Sequence, residues 1–164
     1  MKILGISGSL RRDSHNTKLL HAAANALPHG VELVEWDGLA AVPPFNEDNE
    51  QLPPPPVRDL RDAIAVADAL LVVTPEYNSS IPGQLKNAID WASRPFDGTV
   101  LRNKPVAVIG ASTGSFGALW AQAETRKILG AAGARVTESE LPIAKAHEAF
   151  RDDGRLKDCL LIHI

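Results

Sequence analysis

The feature that most constrains the fold of this chain is the continuous apolar run Ala69-Leu70-Leu71-Val72-Val73-Thr74. An uninterrupted run of this length is typical of a parallel strand that is covered on both faces. Parallel neighbours need crossover connections, which are usually helices, and those helices cover the two faces of the sheet. The run therefore predicts an α/β fold.

Strand-like and helix-like patterns alternate around this run. Strand patterns occupy 2–7, 31–36, 69–74, 105–111 and 133–136, and helical spacing of apolar residues occupies 16–27, 57–67, 82–92 and 117–129. The last helix is expected to turn Leu119, Ala123 and Ile128 inward, and the rest of the chain to be a polar tail as far as Leu160. The alternation predicts a three-layer, doubly wound domain with a parallel five-stranded sheet. All 164 residues are expected to form this one domain.

Composition argues against several classes of function. The chain has 17 basic and 20 acidic residues, a net charge of −3, and no basic block, so a nucleic-acid partner is not expected. No apolar run approaches the roughly 20 residues of a membrane helix, and the apolar start of the chain is too short for a signal peptide. One cysteine, Cys159, excludes an internal disulfide, and the five histidines lack metal-ligand spacing. We therefore expect a cytoplasmic protein without a membrane partner or a metal.

Three unusual loops follow predicted strands at the edge of the sheet where doubly wound folds bind ligands. The first loop combines small residues, hydroxyls and arginines ahead of a helix N-terminus, a set suited to a phosphate. Its candidate ligands are the hydroxyls of Ser9, Ser14 and Thr17, the amide of Asn16, and the guanidinium of Arg11 or Arg12. In the alternative interpretation, Ser14 and Asn16 only cap the helix. The loop lacks both G-x-x-x-x-G-K-[ST] and G-x-G-x-x-G, which favours a small phosphorylated cofactor over a nucleoside triphosphate or a dinucleotide.

The other two loops suit a flat ligand. The loop 74–83 holds the only tyrosine, Tyr77, between prolines that define the path of the backbone. The loop 110–117 contains three glycines, which allow close backbone approach to a ligand. It also matches G-x-S-x-G, in which Ser112 would be a hydrolase nucleophile. The histidine that such a hydrolase needs after an acid, His163, is next to the last residue, so we interpret the match as coincidental.

Three sets of residues carry a resemblance to a known family: Gly8-Ser9-Leu10-Arg11 with Ser14-x-Asn16; Thr74-Pro75-Glu76-Tyr77-Asn78 with Pro82-Gly83-Gln84-Leu85-Lys86-Asn87-Ala88-Ile89-Asp90-Trp91; and Ser112-x-Gly114-x-x-Gly117. Together, over roughly residues 2–144, they resemble the NADPH-dependent FMN reductases. This family is a branch of the flavodoxin-like flavoproteins that includes quinone, chromate and azo-dye reductases. The resemblance implies a flavodoxin-like fold, FMN as cofactor, and NADPH or NADH as hydride donor to a quinone or similar small acceptor.

The resemblance also implies a role for each candidate residue. The FMN phosphate would be held by Ser9, Arg11, Ser14, Asn16 and Thr17. The isoalloxazine ring would be bordered by Pro75, Glu76, Tyr77 and Asn78, and the opposite wall would be formed by Ser112, Thr113, Gly114, Ser115 and Phe116. No covalent catalytic residue is expected, and backbone N–H groups of Glu76 to Asn78 are expected to stabilise negative charge on the reduced ring.

The resemblance further implies a homodimer or homotetramer. Its expected contacts are the segment 43–50 and the helix carrying Asp90, Trp91 and Arg94. The segment 151–156 looks like the family's lead into a last helix, for which 157–164 would leave a shortened version. Two other functions stay open: a flavodoxin-type electron carrier, against which Arg11 counts, and a serine hydrolase using Ser112.

Overall fold

The computed structural model describes residues 1–157, in which strands and helices alternate. The strands are β1 (Lys2–Ser7), β2 (Glu32–Trp36), β3 (Ala69–Thr74), β4 (Pro105–Ala111), β5 (Arg135–Val136) and β6 (Pro142–Ile143). The α-helices are α1 (His15–Ala26), α2 (Pro55–Val66), α3 (Gly83–Ala92), α4 (Leu119–Ala131) and α5 (Ala146–Ala149). Short 3-10 turns occur at Gly38–Ala41, Glu47–Asn49 and Phe96–Gly98.

Strand β3, formed by the apolar run, lies at the centre of a parallel sheet with the order β2-β1-β3-β4-β5. The short strand β6 pairs with the carboxyl end of β4. The chain passes from β1 to β2 on one side and then back to β3 on the other, so the strand order reverses between β1 and β3. This order is the flavodoxin-like one, which confirms the predicted doubly wound sheet.

Alternate residues of β3 divide the core between the two faces of the sheet. Leu70 and Val72 belong to the cluster packed against α2, α3 and α4, whereas Leu71 and Val73 belong to the cluster packed against α1 and the segment 141–156. Successive side chains of a strand point to opposite faces, so a strand buried on both sides must be apolar throughout.

Helix α4 begins two residues later than expected and buries a different face. Its buried side chains are Ala121, Gln122, Thr125 and Leu129. The expected inner face was therefore wrong for Ala123, which is exposed, whereas Leu119 and Ile128 are partly buried and Ile128 packs against the core.

The buried amide of Gln122 explains this difference. Its Nε2 donates to the Gly117 carbonyl oxygen at 3.1 Å, and its Oε1 accepts from the Leu141 N–H at 3.2 Å. A polar side chain can be buried when its hydrogen bonds are satisfied. A count of apolar residues cannot detect such a position.

The expectation of a polar tail was also wrong. Leu141, Ile143, Ala146 and Leu156 are buried in the core beside α1. They are interrupted by Pro142, Lys145 and the polar stretch 151–155, which hides the strand β6 and the short helix α5 from a periodicity search. The predicted shortened helix, together with Cys159 and His163, lies almost entirely outside the described residues. Within residues 1–157, no helix is long and apolar enough to cross a bilayer.

We predict that Gly110→Ala destabilises the fold because β3, β4 and α4 approach each other closely at this position. A Cβ on Gly110 would lie 2.6 Å from the Thr74 carbonyl oxygen and 3.0 Å from the Ala118 Cβ. Overpacking of this kind costs about 1–3 kcal/mol, which a urea titration will measure. Gly83→Ala is the matched control, because a Cβ there meets nothing within 4 Å. Equal unfolding midpoints for the two variants would contradict the prediction.

Candidate functional site

A cleft of about 260 Å³ opens where the carboxyl ends of β1, β3 and β4 meet, next to the reversal of strand order. It is lined by Ser9, Arg11, Ser14, His15, Asn16, Pro75, Glu76, Tyr77, Ala111, Ser112 and Thr113. All three predicted loops contribute to it. The predicted site residues Thr17, Asn78, Gly114, Ser115 and Phe116 do not line the cleft.

The N-terminus of α1 forms one end of the cleft. Ser14 caps the helix, since its Oγ accepts hydrogen bonds from the N–H groups of Asn16 at 3.1 Å and Thr17 at 3.4 Å. Thr17 Oγ1 lies 2.9 Å from Ser7 Oγ, so this hydroxyl is engaged with β1. The helix dipole and the exposed Arg11 side chain still give this end of the cleft positive potential.

The Asn16 side chain braces the start of α1 against the carboxyl end of β4. It is 3% exposed, its Nδ2 donates to the Ala111 carbonyl oxygen at 3.0 Å, and its Oδ1 accepts from the Ala111 N–H at 2.9 Å. Both polar ends of the carboxamide are therefore used within the protein. That Asn16 helps to hold a phosphate stays a prediction. Its side-chain nitrogen and oxygen already bind the main chain of Ala111, and these bonds compete with a bond to phosphate.

His15 is a cleft residue that sequence reasoning did not select. Its ring stacks on Phe150 with a centroid distance of 6.2 Å and an interplanar angle of 9°. Its Nδ1 is buried without a hydrogen-bond partner in the described part of the chain. Burial, and then the charges of Arg11, Lys18 and His147, lower the pKa of His15 below the ordinary 6.5. Its neighbour Phe150 comes from a segment 135 residues later (150 − 15), so no local signal marks the site.

The loop after β3 contains a tight turn that carries Tyr77. The backbones of Tyr77 and Ser80 exchange hydrogen bonds of 3.0 and 3.1 Å, and both residues between them, Asn78 and Ser79, have positive φ angles of 53° and 61°. This is the pattern of a type I′ turn. The Tyr77 side chain is 52% exposed at the mouth of the cleft.

Glu76 connects this loop to α4. Its Oε2 accepts from the Ala121 N–H at 3.1 Å, in the first turn of the helix. The residue at the N-cap position, Ala118, has a left-handed φ of 62° and no capping side chain. The carboxylate of Glu76 therefore satisfies a helix donor that the helix's own sequence leaves free, with a favourable charge for a helix N-terminus.

The loop after β4 is held by the segment that was predicted to be a polar tail. Ser112 N–H donates to the Ile143 carbonyl oxygen, and the Ser112 carbonyl accepts from Ala146 N–H, both at 3.0 Å. Lys145 N–H donates to the Gly114 carbonyl oxygen at 3.0 Å. The Ser112 hydroxyl accepts from Gly114 N–H at 3.2 Å and makes no hydrogen bond to a histidine among residues 1–157.

Comparisons with known proteins agree with this geometry. The family model of NADPH-dependent FMN reductase matches residues 1–148. An NAD(P)H-dependent FMN reductase of Pseudomonas aeruginosa is 44% identical over 160 residues, which are 96% of this chain and 85% of the relative. A 2-hydroxy-1,4-benzoquinone reductase of a Burkholderia species is 44% identical over 128 residues, which are 78% of this chain and 69% of the relative. Among solved structures, the flavoenzyme FerB of Paracoccus denitrificans, an NAD(P)H:(acceptor) oxidoreductase, superposes with a TM-score of 0.85 at 38% identity, covering 96% and 86% of the two chains.

We predict that Asn16→Ala lowers the free energy of unfolding more than the removal of a similarly hydrogen-bonded asparagine, Asn87. The change leaves the N–H and carbonyl of Ala111 buried without partners, at a cost of about 1–3 kcal/mol in the free energy of unfolding. Asn87→Ala is the control, because the half-buried Asn87 makes the same two kinds of bond, to the Phe45 N–H and the Pro43 carbonyl. Urea titrations that place Asn87→Ala at or below the stability of Asn16→Ala would contradict the prediction.

We predict that His15 makes the ligand-free protein less stable as the pH falls. Because its pKa is lowered in the folded state, the unfolded chain takes up a proton near pH 6.5 that the folded chain still excludes. Stability is therefore lost as the pH falls from 6.5 towards the folded pKa, and the loss then levels off. In His15→Gln, unfolding free energies measured between about pH 7.5 and 5.5 are expected to fall less steeply than in the wild type. His29→Gln, which removes an exposed imidazole, is the control, and an equal slope for His15→Gln and wild type would refute the idea.

Proposed function

This chain belongs to the NADPH-dependent FMN reductase family and is an FMN-dependent NAD(P)H oxidoreductase, and on that premise we propose that the cleft described above is its flavin site and that quinones or similar small molecules are its electron acceptors. One observation supports this most directly: a positive helix N-terminus with Arg11 faces the Tyr77 turn across a single cleft. A phosphate at one end and a flat ring at the other is the arrangement that FMN requires. The names of the relatives, an FMN reductase and a benzoquinone reductase, support the choice of acceptor.

The residues present fit FMN by the chemistry of their donors. Arg11 and the first turn of α1 provide charged and dipolar donors for a phosphate, and His15, whose buried Nδ1 has no hydrogen-bond partner among residues 1–157, lines the same end of the cleft. Pro75 and Tyr77 on one side, and Ser112 with Thr113 on the other, provide walls for the ring. We propose that FMN lies between these two walls.

When bound, FMN would supply the hydride and electron transfer chemistry between NAD(P)H and the acceptor. The protein's part is to hold the flat ring and leave it accessible. Tyr77 lies at the mouth of the cleft and is 52% exposed, and we propose that small molecules reach the ring from this side. The Tyr77 N–H, which was expected to face the ring, donates instead to the Ser80 carbonyl oxygen, so the expectation is not met for that group. The N–H groups of Glu76 and Asn78 remain candidates for stabilising negative charge on the ring.

The alternatives are less well supported. An electron carrier would need a separate reductase to reduce its flavin, whereas the relatives named above use NAD(P)H themselves. A serine hydrolase would need a base beside Ser112, whose hydroxyl pairs with Gly114 N–H in the described chain. Chromate and azo-dye reduction, and the cytoplasmic location, stay predictions.

We further propose that two copies of the chain associate through α3 and α4. A groove of about 310 Å³ on this face is lined by Ile89, Arg94, Phe96 and Ile128 among others, and the Phe96 side chain is 65% exposed. Trp91, on the helix expected to form the contact, is fully buried and its Nε1 donates to the Pro43 carbonyl oxygen within the same subunit. The contact through this helix stays a prediction, in which Asp90 and Arg94, which line the groove, take part and the buried Trp91 does not.

We predict that NADPH added without oxygen to the FMN-loaded protein bleaches the flavin absorbance, and that a quinone restores it. A bound flavin that stays oxidised would contradict the reductase function and favour a carrier. Failure of FMN to bind at all would contradict the assignment of the cleft.

We predict that Arg11→Ala weakens FMN binding about tenfold or more, as expected for the loss of a charge-assisted hydrogen bond. Arg12→Ala is the control, because Arg12 is the same residue type, equally exposed, and does not line the cleft. Fluorescence titrations with FMN and with riboflavin, which lacks the phosphate, will measure the effect. Equal weakening for both flavins would place Arg11 away from the phosphate.

We predict that Phe96→Asp lowers the mass measured by sedimentation equilibrium to that of one chain. The charge would be buried in the proposed interface without a partner. Leu52→Asp is the control, since Leu52 is an apolar residue that is 80% exposed and lies outside this groove. A wild-type protein that sediments as a single chain would refute the dimer.

A further inference from the structure

Helix α4 contacts the Tyr77 turn through a second carboxylate, that of Glu124. Glu124 Oε2 accepts a hydrogen bond from the Ser80 hydroxyl at 2.6 Å and lies 3.4 Å from the Ile81 N–H, which also donates to it. Both Glu124 and Ser80 are half-buried, so this bond is partly shielded from solvent. Glu124 does not line the cleft, and neither the sequence motifs nor the flavin site includes it.

The turn needs such an anchor because its backbone is unfavourable for its sequence. Type I′ turns favour Asn or Gly at positions with positive φ, and here the second such position holds Ser79. A residue held in this conformation persists only when surrounding contacts determine it. Asn78 and Ser79 are themselves exposed, so the anchoring contacts come from the two ends of the turn.

Two carboxylates connect the two ends of the turn to α4: that of Glu76, which precedes the turn, and that of Glu124, which lies on the helix. Before the turn, Glu76 binds the Ala121 N–H in the first turn of the helix. After the turn, Ser80 binds Glu124, three residues further along α4. One anchor therefore holds the turn to the main chain in the first turn of α4, and the other holds it to a side chain three residues further along the helix. Between them lies Tyr77, at the mouth of the cleft.

We propose that Glu124 is a positioning residue for the reductase: through Ser80 it fixes the turn that places Tyr77 beside the flavin. This inference rests on the proposed flavin site. The proposed contact is a hydrogen bond from the Ser80 hydroxyl to a side-chain oxygen of Glu124. The amide of a Glu124→Gln variant would therefore still provide an acceptor. The bond acts on the turn and not on the phosphate end of the cleft.

The first experiment monitors the conformation of the Tyr77 turn in the absence of any cofactor. Tyr77 is the only tyrosine of the chain, so incorporation of 3-fluorotyrosine gives one ¹⁹F NMR resonance that reports on this turn alone. Glu124→Ala and Ser80→Ala are expected to shift or broaden that resonance in the same way, and Glu124→Gln to leave it close to wild type. The double variant is expected to differ little from either single variant, because both remove the same bond.

The second experiment measures FMN binding and turnover in the same set of variants. Glu124→Ala and Ser80→Ala are expected to weaken FMN binding or raise the KM for a quinone by about three- to tenfold, the effect of one lost hydrogen bond. The visible circular dichroism of bound FMN should change equally in both, and Glu124→Gln should restore it. A variant that acts only through overall stability would change none of these properties at temperatures where it is folded.

Glu140→Ala is the matched control, because Glu140 is also a carboxylate bound to α4, through Arg126, and contacts nothing in the turn. A Glu140→Ala spectrum altered like that of Glu124→Ala would overturn the proposal in favour of general loosening of α4. Additive effects of Glu124→Ala and Ser80→Ala, or a Glu124→Gln variant as impaired as Glu124→Ala, would overturn it as well. If the ¹⁹F changes occur as expected but wild-type protein binds no FMN, the positioning of the turn stands and the flavin site fails.

Discussion

The double hydrogen bond between the Asn16 carboxamide and the main chain of Ala111 is the interaction on which the cleft depends. Strands β1 and β4 are not neighbours, because β3 lies between them. The loops that follow β1 and β4 would therefore have no backbone pairing to set their separation. Asn16 provides it, using a side-chain amide in the way a neighbouring strand would use a peptide group. The two ends of the cleft, at the N-terminus of α1 and at Ser112, thereby share one fixed frame.

The loop after β3 completes this frame by way of α4. The helix starts after a residue in a left-handed conformation and lacks a capping side chain of its own. Glu76 supplies the cap, and in return the loop is held at a fixed distance from the helix. Stability of the helix and geometry of the cleft thus come from the same contact. A cleft whose walls are fixed before binding suits a rigid planar cofactor, because the walls need not rearrange when the cofactor binds.

The central strand, the parallel sheet and the three cleft loops could all be predicted from the sequence, since each depends on local pattern. The apolar run of β3 needs no partner to be recognised, and the loops stand out by their glycines, hydroxyls and arginines. What could not be predicted depends on contacts between distant residues. Asn16 is a residue type that can bind a phosphate, and only the structure shows that its side chain binds the main chain of Ala111. Gln122 is polar and yet buried, because the N–H of Leu141, 19 residues further along the chain, donates to its side chain.

The segment 141–146 also determines when the cleft becomes complete during synthesis. The loop after β4, which includes the cleft residue Ser112, is tied to the main chain of Ile143, Lys145 and Ala146, about 30 residues later. A nascent chain that has emerged only as far as α4 already contains all the residues that line the cleft, but not those that hold this loop in place. The cleft therefore takes its final shape only after the segment 141–146 has joined the fold.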